Sequence, residues 1–174
     1  DFHSLDIDYS RQPNNFGSTP LIIACQRGHF DAMKWLLHCT NAINDFQQPN
    51  NSGWTPMLIA CLKGHIDIVE WIVNGLNLPT KVLFARNHAG SGPCLVAASQ
   101  GHVELLKYLC EVALVRFQTS TSTSSTSTSV SKLVALLSVT NMFGENAFKA
   151  TCKNGHIETA ILLIIYGGLS LERK

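Results

Sequence analysis

The feature that most constrains the fold is a sequence unit that occurs four times along the chain. The dipeptide Gly-His occurs at positions 28, 64, 101 and 155, and another glycine precedes each of these glycines by eleven positions, at 17, 53, 90 and 144. An asparagine lies three positions earlier again, at 14, 50, 87 and 141. Each unit therefore reads N-x-x-G, ten residues, then G-H, and such periodicity is typical of repeat architectures.

The residue types within one unit predict its local structure. Asn and Gly in N-x-x-G favour a tight turn, because both tolerate a positive φ. Thr19-Pro20 and Thr55-Pro56 follow, and a threonine cap with proline in the first turn is typical of a helix start. The glycine before each histidine suits a helix C-cap, and the apolar spacing over residues 65–73 predicts a second, amphipathic helix. Each unit is therefore predicted to be turn, helix, tight loop, helix.

This pattern closely resembles the ankyrin repeat, whose consensus reads D-x-x-G-x-T-P-L-H-x-A-A-x-x-G-H. The segments NNFGSTPLIIACQRGH and NNSGWTPMLIACLKGH match it nearly throughout, NHAGSGPCLVAASQGH keeps the proline and the Ala-Ala pair, and NMFGENAFKATCKNGH lacks Thr-Pro. Asn replaces the family's Asp in all four copies. The consensus histidine after Thr-Pro-Leu, which helps to connect neighbouring loops in the family, is replaced by Ile22, Leu58, Leu95 and Lys149. The resemblance covers residues 14–174 and implies an all-α ankyrin-repeat solenoid of stacked helix-loop-helix units, with weaker ties between loops.

We expect one domain over residues 1–174, whose third unit carries an insertion at about 119–131. The predicted boundaries are 1–13 for the tail of a preceding repeat, then 14–49, 50–86, 87–140 and 141–174 for the four repeats. Residues 119–129 are all Ser or Thr, which predicts a disordered loop. The run is either a tolerated insertion or a cluster of phosphoacceptors. Because the chain begins at Asp1, we also expect a fragment or a processed form.

Cysteine and histidine occur four positions apart in three of the units, which raises the question of a metal site. Cys25, Cys61 and Cys152 occupy the position at which the third unit has Ala98. A position that accepts alanine favours a small apolar group against a neighbouring helix, which is how a buried free cysteine behaves. We therefore predict structural thiols, with a zinc site as the weaker alternative, and histidines that order the loop between the helices. The absence of C-x-x-C pairs favours reduced thiols in the cytoplasm or nucleus.

Composition and motifs limit the classes of activity and partner. The formal net charge is +1, which gives no electrostatic reason to expect a nucleic acid or an anionic membrane as partner. The longest apolar run, Ala160 to Ile165, is far shorter than the ~20 residues that a membrane-spanning helix needs. The sequence has no P-loop, G-x-G-x-x-G, G-x-S-x-G or H-E-x-x-H motif, so we predict no catalytic residues, cofactor or metal, and no enzyme activity.

Stacked repeats present an extended concave surface, and the resemblance implies that partners are held by turn tips and first helices. The matching positions are the predicted partner-binding residues: Phe16, Ser18, Arg27, Ser52, Trp54, Lys63, His88, Ser91, Met142, Phe143 and Glu145. Large apolar side chains at turn tips are typical of binding hot spots, although they could instead pack on adjacent tips. Arg27 and Lys63 favour an acidic partner segment. Trp35 and Trp71 occupy a predicted core position and are not candidates.

The sequence thus predicts a non-catalytic protein–protein interaction module that binds a partner polypeptide. Two alternatives remain open: a regulatory or targeting segment of a larger enzyme or channel chain, and a structural component of a permanent assembly. One position is charged as Lys34, Glu70 and Lys107 but becomes Ile161 in the last unit, where terminal repeats normally carry a polar face. We therefore hypothesise that the array continues past residue 174 or that Ile161 contacts a partner.

Overall fold

The computed structural model describes residues 11–40, 43–76, 80–119 and 133–168. The chain forms two compact units, Asp1–His88 and Ala89–Lys174. Throughout the described ranges the regular structure is helical, without β-strands, as the predicted all-α class requires. The single domain and its repeat boundaries stay predictions, and the two units are described one at a time.

The first unit contains two helical hairpins that pack side by side. Its helices are α1 (Pro20–Arg27), α2 (Phe30–Thr40), α3 (Pro56–Lys63) and α4 (Ile66–Glu70). Helix α1 contacts both α2 and α3, and α3 contacts α4. The first helices of the two repeats therefore lie against each other, and each hairpin closes on its own second helix.

Short non-α turns lead from each second helix of the first unit towards the next turn tip. Helix α4 continues directly into a π-helical turn, Trp71–Gly75. Two 3₁₀ turns, Ile43–Gln47 and Thr80–Phe84, follow α2 and α4 in the chain. Phe46 and Leu83 are buried, and each lies four positions before the asparagine of a turn tip. Each 3₁₀ turn therefore anchors a connection between repeats to the core.

The second unit repeats the hairpin arrangement. Its helices are α5 (Pro93–Ser99), α6 (Val103–Thr119), α7 (133–138), α8 (Ala147–Asn154) and α9 (Ile157–Gly168). Helix α5 contacts α6 and α8, while α9 contacts α6 and α8. Leu133 and Leu136 of α7 are buried, so the chain returns to the core of the second unit there. Residues 120–132, with nearly all of the Ser/Thr run, lie outside the described residues.

The first helices begin where their capping residues predict. Oγ1 of Thr19 and of Thr55 each accept a 3.3 Å hydrogen bond from the backbone N–H three residues later. The fourth repeat lacks Thr-Pro, and α8 is capped by Asn146, whose Oδ1 accepts a 2.9 Å hydrogen bond from the N–H of Lys149. Asparagine is among the best N-caps. The most divergent repeat therefore keeps its helix start by a different residue.

The prediction for the tryptophans is wrong for Trp35, whose side chain is 60% exposed. Trp71, at the same position of the next repeat, is partly buried and lies 6.3 Å, ring centroid to ring centroid, from both Phe30 and Phe46. Both phenylalanines belong to the preceding repeat. Among the described residues, Trp35 has no such aromatic neighbours. Burial at this position therefore depends on the repeat before it.

The prediction of buried thiols is correct for Cys25 and Cys61 and wrong for Cys152, which is exposed. Burial raises the pKa of the Cys25 and Cys61 thiols to about 12. The three cysteines share one position of the repeat, so their own chemistry does not explain the difference. The physical reason is the place of Cys152 on α8, on a side that the contacts of this helix with α5 and α9 leave open.

Candidate functional site

Three of the turn tips are each built around the side chain of an asparagine. Oδ1 of Asn14 accepts hydrogen bonds of 3.0 Å from the N–H groups of Phe16 and Ser18. Asn50 makes the same two bonds at 3.0 Å, and Asn141 makes them at 2.9 and 3.0 Å. Asparagine thus serves as the acceptor at the position where the ankyrin consensus has aspartate. Its amide also supplies a donor, because Nδ2 of Asn50 lies 3.3 Å from Oγ of Ser18 in the preceding tip.

Backbone hydrogen bonds join neighbouring tips within each unit. In the first unit the N–H of Asn51 donates to the carbonyl of Phe16, and that of His88 donates to the carbonyl of Ser52, both at 3.1 Å. In the second unit the tip of the fourth repeat donates to the tip of the third at 2.8 Å. The tips of each unit are therefore held in register, and their side chains project from a backbone that is hydrogen-bonded to at least one adjacent tip.

The large apolar candidates are mostly open to solvent. Phe16, Met142 and Phe143 are 74, 70 and 73% exposed, whereas Trp54 is partly buried. The alternative that these side chains pack on adjacent tips therefore does not fit the first three residues, and it stays open for Trp54. Exposed phenylalanine and methionine on a fixed backbone have no visible structural role here.

The polar candidates divide into exposed and buried residues. Four are exposed: Arg27, Ser52, Lys63 and His88. Ser18 and Ser91 are each only 8% exposed, and the Ser18 hydroxyl accepts the hydrogen bond from Nδ2 of Asn50. These two serines offer little contact area to a partner in this conformation, so the surface that we propose below omits them.

Glu145 is engaged within its own repeat. Its carboxylate forms an ion pair with Lys153 and accepts a 3.3 Å hydrogen bond from Nδ2 of Asn141. The hydrogen bond from Lys153, followed by that from Asn141, lowers the pKa of Glu145. The acidic candidate is therefore ionised at neutral pH, and its charge is already matched by a neighbouring lysine.

The basic candidates of the first unit, unlike Glu145, have no ion-pair partner among the described residues. Arg27 and Lys63 are the last residues of α1 and α3, two helices that contact each other. Neither forms an ion pair with any residue in the described part of the chain. Since an eight-residue helix rises roughly 10 Å from its first to its last residue, both charges lie within reach of a peptide that also contacts the tips.

The Gly-His histidines make a contact that the sequence did not reveal in full. They were predicted to order the loop of their own repeat, yet two of them also bond to the preceding repeat. Nε2 of His65 lies 3.4 Å from the carbonyl oxygen of Gln26, and Nε2 of His156 lies 3.1 Å from that of Ser99. The signal was the constant spacing of histidine from the turn, which gives His65 and His156 the same position relative to the preceding repeat.

The described residues contain no group of three or more His, Cys, Asp or Glu side chains that could hold a metal ion. Among the helices of the described part, none is long and apolar enough to cross a membrane.

Comparison with protein families identifies the family of most of the first unit. Residues 3–82 match the family model described as ankyrin repeats (3 copies). These residues belong to the ankyrin repeat family. Ankyrin repeats are generally protein–protein interaction modules and are typically non-catalytic. The second unit has the ankyrin order of turn, helix, loop and helix, with positive-φ glycines at the same positions. No curated protein matches the chain.

Proposed function

We propose that the protein is a non-catalytic interaction module that binds a partner polypeptide on its turn tips and first-helix surface. The observation that carries this proposal is the exposure of Phe16, Met142 and Phe143 on a backbone that is hydrogen-bonded to the adjacent tip. Aromatic side chains and methionine are enriched at protein interfaces, and a few such anchors supply most of the binding free energy.

The fixed backbone of the tips favours binding. A loop that must be ordered on association loses conformational entropy, and that loss weakens the complex. Here the asparagine Oδ1 bonds and the bonds between tips order the backbone before any partner arrives. Burial of an exposed phenylalanine therefore contributes to affinity with little opposing cost from the backbone.

The charges of the first unit indicate the chemistry of its partner. Arg27 and Lys63 are exposed, lie at the ends of two helices that contact each other, and form no ion pair with acidic groups of the described residues. An extended segment with an apolar side chain for the Phe16 tip and carboxylates for the two basic residues fits this surface. Such charges raise the association rate and the specificity more than the affinity.

The test selects peptides from a random displayed library on the immobilised protein and measures the affinity of a selected peptide in solution. Phe16→Ala and Phe143→Ala are the test variants. The affinity of each variant is measured for a peptide that was selected on the wild-type protein. Trp35→Ala is the matched control, because Trp35 is an exposed aromatic residue on the second helix of its repeat. We expect at least one tip variant to lose about tenfold or more in affinity, equivalent to about 1.4 kcal/mol, and the control to bind as wild type.

Retention of wild-type affinity by both tip variants would contradict the proposed surface, provided that their circular dichroism spectra and melting temperatures match wild type. A further arm replaces Arg27 and Lys63 by Gln. The proposal predicts a lower association rate that depends less on salt concentration, because the removed charges act over a screening length of about 10 Å at 0.1 M salt.

A further inference from the structure

The third repeat has cysteines at two positions where no other repeat has one. Cys94 lies on α5 and Cys110 on α6, and these two helices contact each other. Counted from the Gly-His glycine, the other repeats have these pairs at the two positions: Leu21 and Leu37, Met57 and Val73, Phe148 and Ile164. The third repeat therefore replaces both members of an apolar pair by thiols within a single helical hairpin.

The geometry of this hairpin brings the two cysteines to a similar height. Cys94 lies five positions before Ser99, the last residue of α5, and Cys110 lies seven positions after Val103, the first residue of α6. At 1.5 Å per residue, they lie roughly 8 and 11 Å from the loop that joins the two helices. Cys94 is 2% exposed and Cys110 is 0% exposed, and their thiols are hydrogen-bonded to each other. The two sulfur atoms therefore lie side by side in the core of the second unit.

We propose that Cys94 and Cys110 form a reversible disulfide, and that a low-molecular-weight disulfide of the glutathione type is the oxidant. The thiolate of one cysteine attacks a sulfur atom of the oxidant, whose sulfur–sulfur bond breaks and whose first thiol leaves. The thiolate of the other cysteine then attacks the protein sulfur of this mixed disulfide and releases the second thiol. The two cysteines lose two electrons and two protons, which the oxidant takes up to become two thiols.

The bond would connect two elements that already lie against each other. A disulfide requires sulfur atoms about 2.0 Å apart, and hydrogen-bonded thiols on contacting helices approach that distance by side-chain rotation. Residues 94 and 110 are sixteen positions apart, and a cross-link across a loop of this length stabilises a fold mainly by restricting the unfolded chain. The oxidised protein should therefore keep the hairpin and unfold at a higher temperature.

Burial makes this reaction slow in the native protein. The hydrogen bond with Cys94, followed by burial, raises the pKa of Cys110, so hardly any reactive thiolate forms at neutral pH. Tyr166 of α9 is hydrogen-bonded to Glu111, the residue after Cys110, and α9 contacts α6. An oxidant therefore reaches the pair only when the second unit opens or before it has folded. The pair responds to sustained oxidation, and a reducing glutathione pool keeps it as two thiols.

The test refolds the full chain from urea at low protein concentration in buffers with increasing ratios of oxidised to reduced glutathione. Refolding removes the limit that burial sets on the access of the oxidant to the thiols. The samples are quenched with acid, the remaining thiols are alkylated, and the protein is digested with trypsin without reduction. Cleavage after Arg86, Lys107 and Arg116 gives the peptides 87–107 and 108–116, each with one cysteine.

We expect these two peptides to be joined in the predominant linkage, and the melting temperature of the oxidised protein to exceed that of the reduced protein by about 5 °C or more. Absence of this linkage at every ratio would overturn the proposal. A predominant linkage between other cysteines, or an oxidised protein that melts no higher than the reduced one, would overturn it as well.

Variants taken from the other repeats show which residues respond to the oxidant. Cys110→Val and Cys94→Met each introduce the residue that the second repeat has at that position, and two variants keep the test decisive if one folds poorly. Cys25→Ala is the control, because the third repeat has Ala98 at the position of this buried thiol. We expect oxidised glutathione to leave the melting temperatures of Cys110→Val and Cys94→Met unchanged and to raise that of Cys25→Ala as in wild type. A wild-type rise in either of the first two variants would contradict the assigned pair.

Discussion

Nε2 of His156 lies 3.1 Å from the carbonyl oxygen of Ser99, and its ring fills the space beside Gly101. A Cβ atom on Gly101 would lie only 2.6 Å from Nδ1 of His156. Gly28 and His65 are placed in the same way in the first unit, where a Cβ would lie 2.6 Å from the imidazole Cε1. The repeated Gly-His dipeptide thus supplies the two halves of a contact, since the glycine of one repeat makes room for the histidine of the next.

The first prediction separates this contact from backbone strain. Gly101 and Gly155 have nearly the same left-handed φ, 75° and 76°, but nothing among the described residues lies within 4 Å of a Cβ on Gly155. Alanine at either position incurs a left-handed penalty of about 1–2 kcal/mol. We expect Gly101→Ala to reduce the free energy of unfolding by about 1–2 kcal/mol more than Gly155→Ala, measured by urea denaturation.

Removal of the histidine ring should abolish this difference. In the double variant Gly101→Ala/His156→Ala the new methyl group has space, so the cost of Gly101→Ala in that background should fall to that of Gly155→Ala. Equal costs for the two glycine variants in the wild-type background would mean that the histidine contact does not constrain Gly101.

The second prediction concerns the asparagine that replaces the consensus aspartate. Oδ1 of Asn50 accepts the N–H groups of Ser52 and Trp54. Asn50→Ala leaves these two donors without their acceptor, and we expect a loss of about 1–3 kcal/mol in unfolding free energy. Asn50→Asp keeps the acceptor, and its carboxylate can accept a hydrogen bond from the Ser18 hydroxyl, so we expect a change within about 0.5 kcal/mol. Equal losses in thermal or urea unfolding would contradict this account of the tip.

Much of this fold could be predicted from the sequence because each repeat carries its own local signals. Thr19 and Thr55 cap helices where predicted, since capping depends on a few neighbouring residues. The predictions that were wrong concern burial that depends on residues distant in the sequence. Trp35 and Trp71 occupy the same position of the repeat, yet only Trp71 has the rings of Phe30 and Phe46 beside it. The sequence pattern within one repeat cannot show whether an adjacent repeat covers a given side chain.

The candidate surface shows the same difference between local sequence signals and contacts with neighbouring repeats. Phe16 and Phe143 were predicted to bind a partner from their place in the turn; both are exposed, and their role in binding stays a prediction. Ser18 and Ser91 occupy equivalent turn positions but are buried, and the hydroxyl of Ser18 accepts a hydrogen bond from Asn50 of the next tip. Such bonds depend on the spacing of two repeats, which the sequence of one repeat does not specify.

The third prediction concerns two buried threonines of the fourth repeat. Oγ1 of Thr159 is buried and has no hydrogen-bond partner within the described structure, whereas Oγ1 of Thr151 donates to the carbonyl of Phe148 at 2.7 Å. A buried hydroxyl without a partner destabilises the fold by about 1–3 kcal/mol. We therefore expect Thr159→Val to raise the free energy of unfolding by about 1 kcal/mol, and Thr151→Val to lower it by about 1 kcal/mol. Calorimetric melts of both variants check the signs, and a destabilised Thr159→Val would show that this hydroxyl is satisfied.

Thiol accessibility tests the central claim, that the stacking of first helices within a unit buries equivalent positions of the repeats. Cys25, Cys61 and Cys152 share one position, but the first two are completely buried and Cys152 is exposed. Burial also raises the pKa of the Cys25 and Cys61 thiols to about 12, so hardly any reactive thiolate forms at neutral pH.

The measurement is alkylation of the dilute native protein with iodoacetamide, followed by mass spectrometry of the peptide around each cysteine. We expect Cys152 to be modified at least about 100-fold faster than Cys25 and Cys61, because the two buried thiols react only when the structure opens. The difference should disappear in concentrated urea. Similar rates for the three thiols in the native protein, or protection of Cys152 at high dilution, would contradict the stacking of repeats described here.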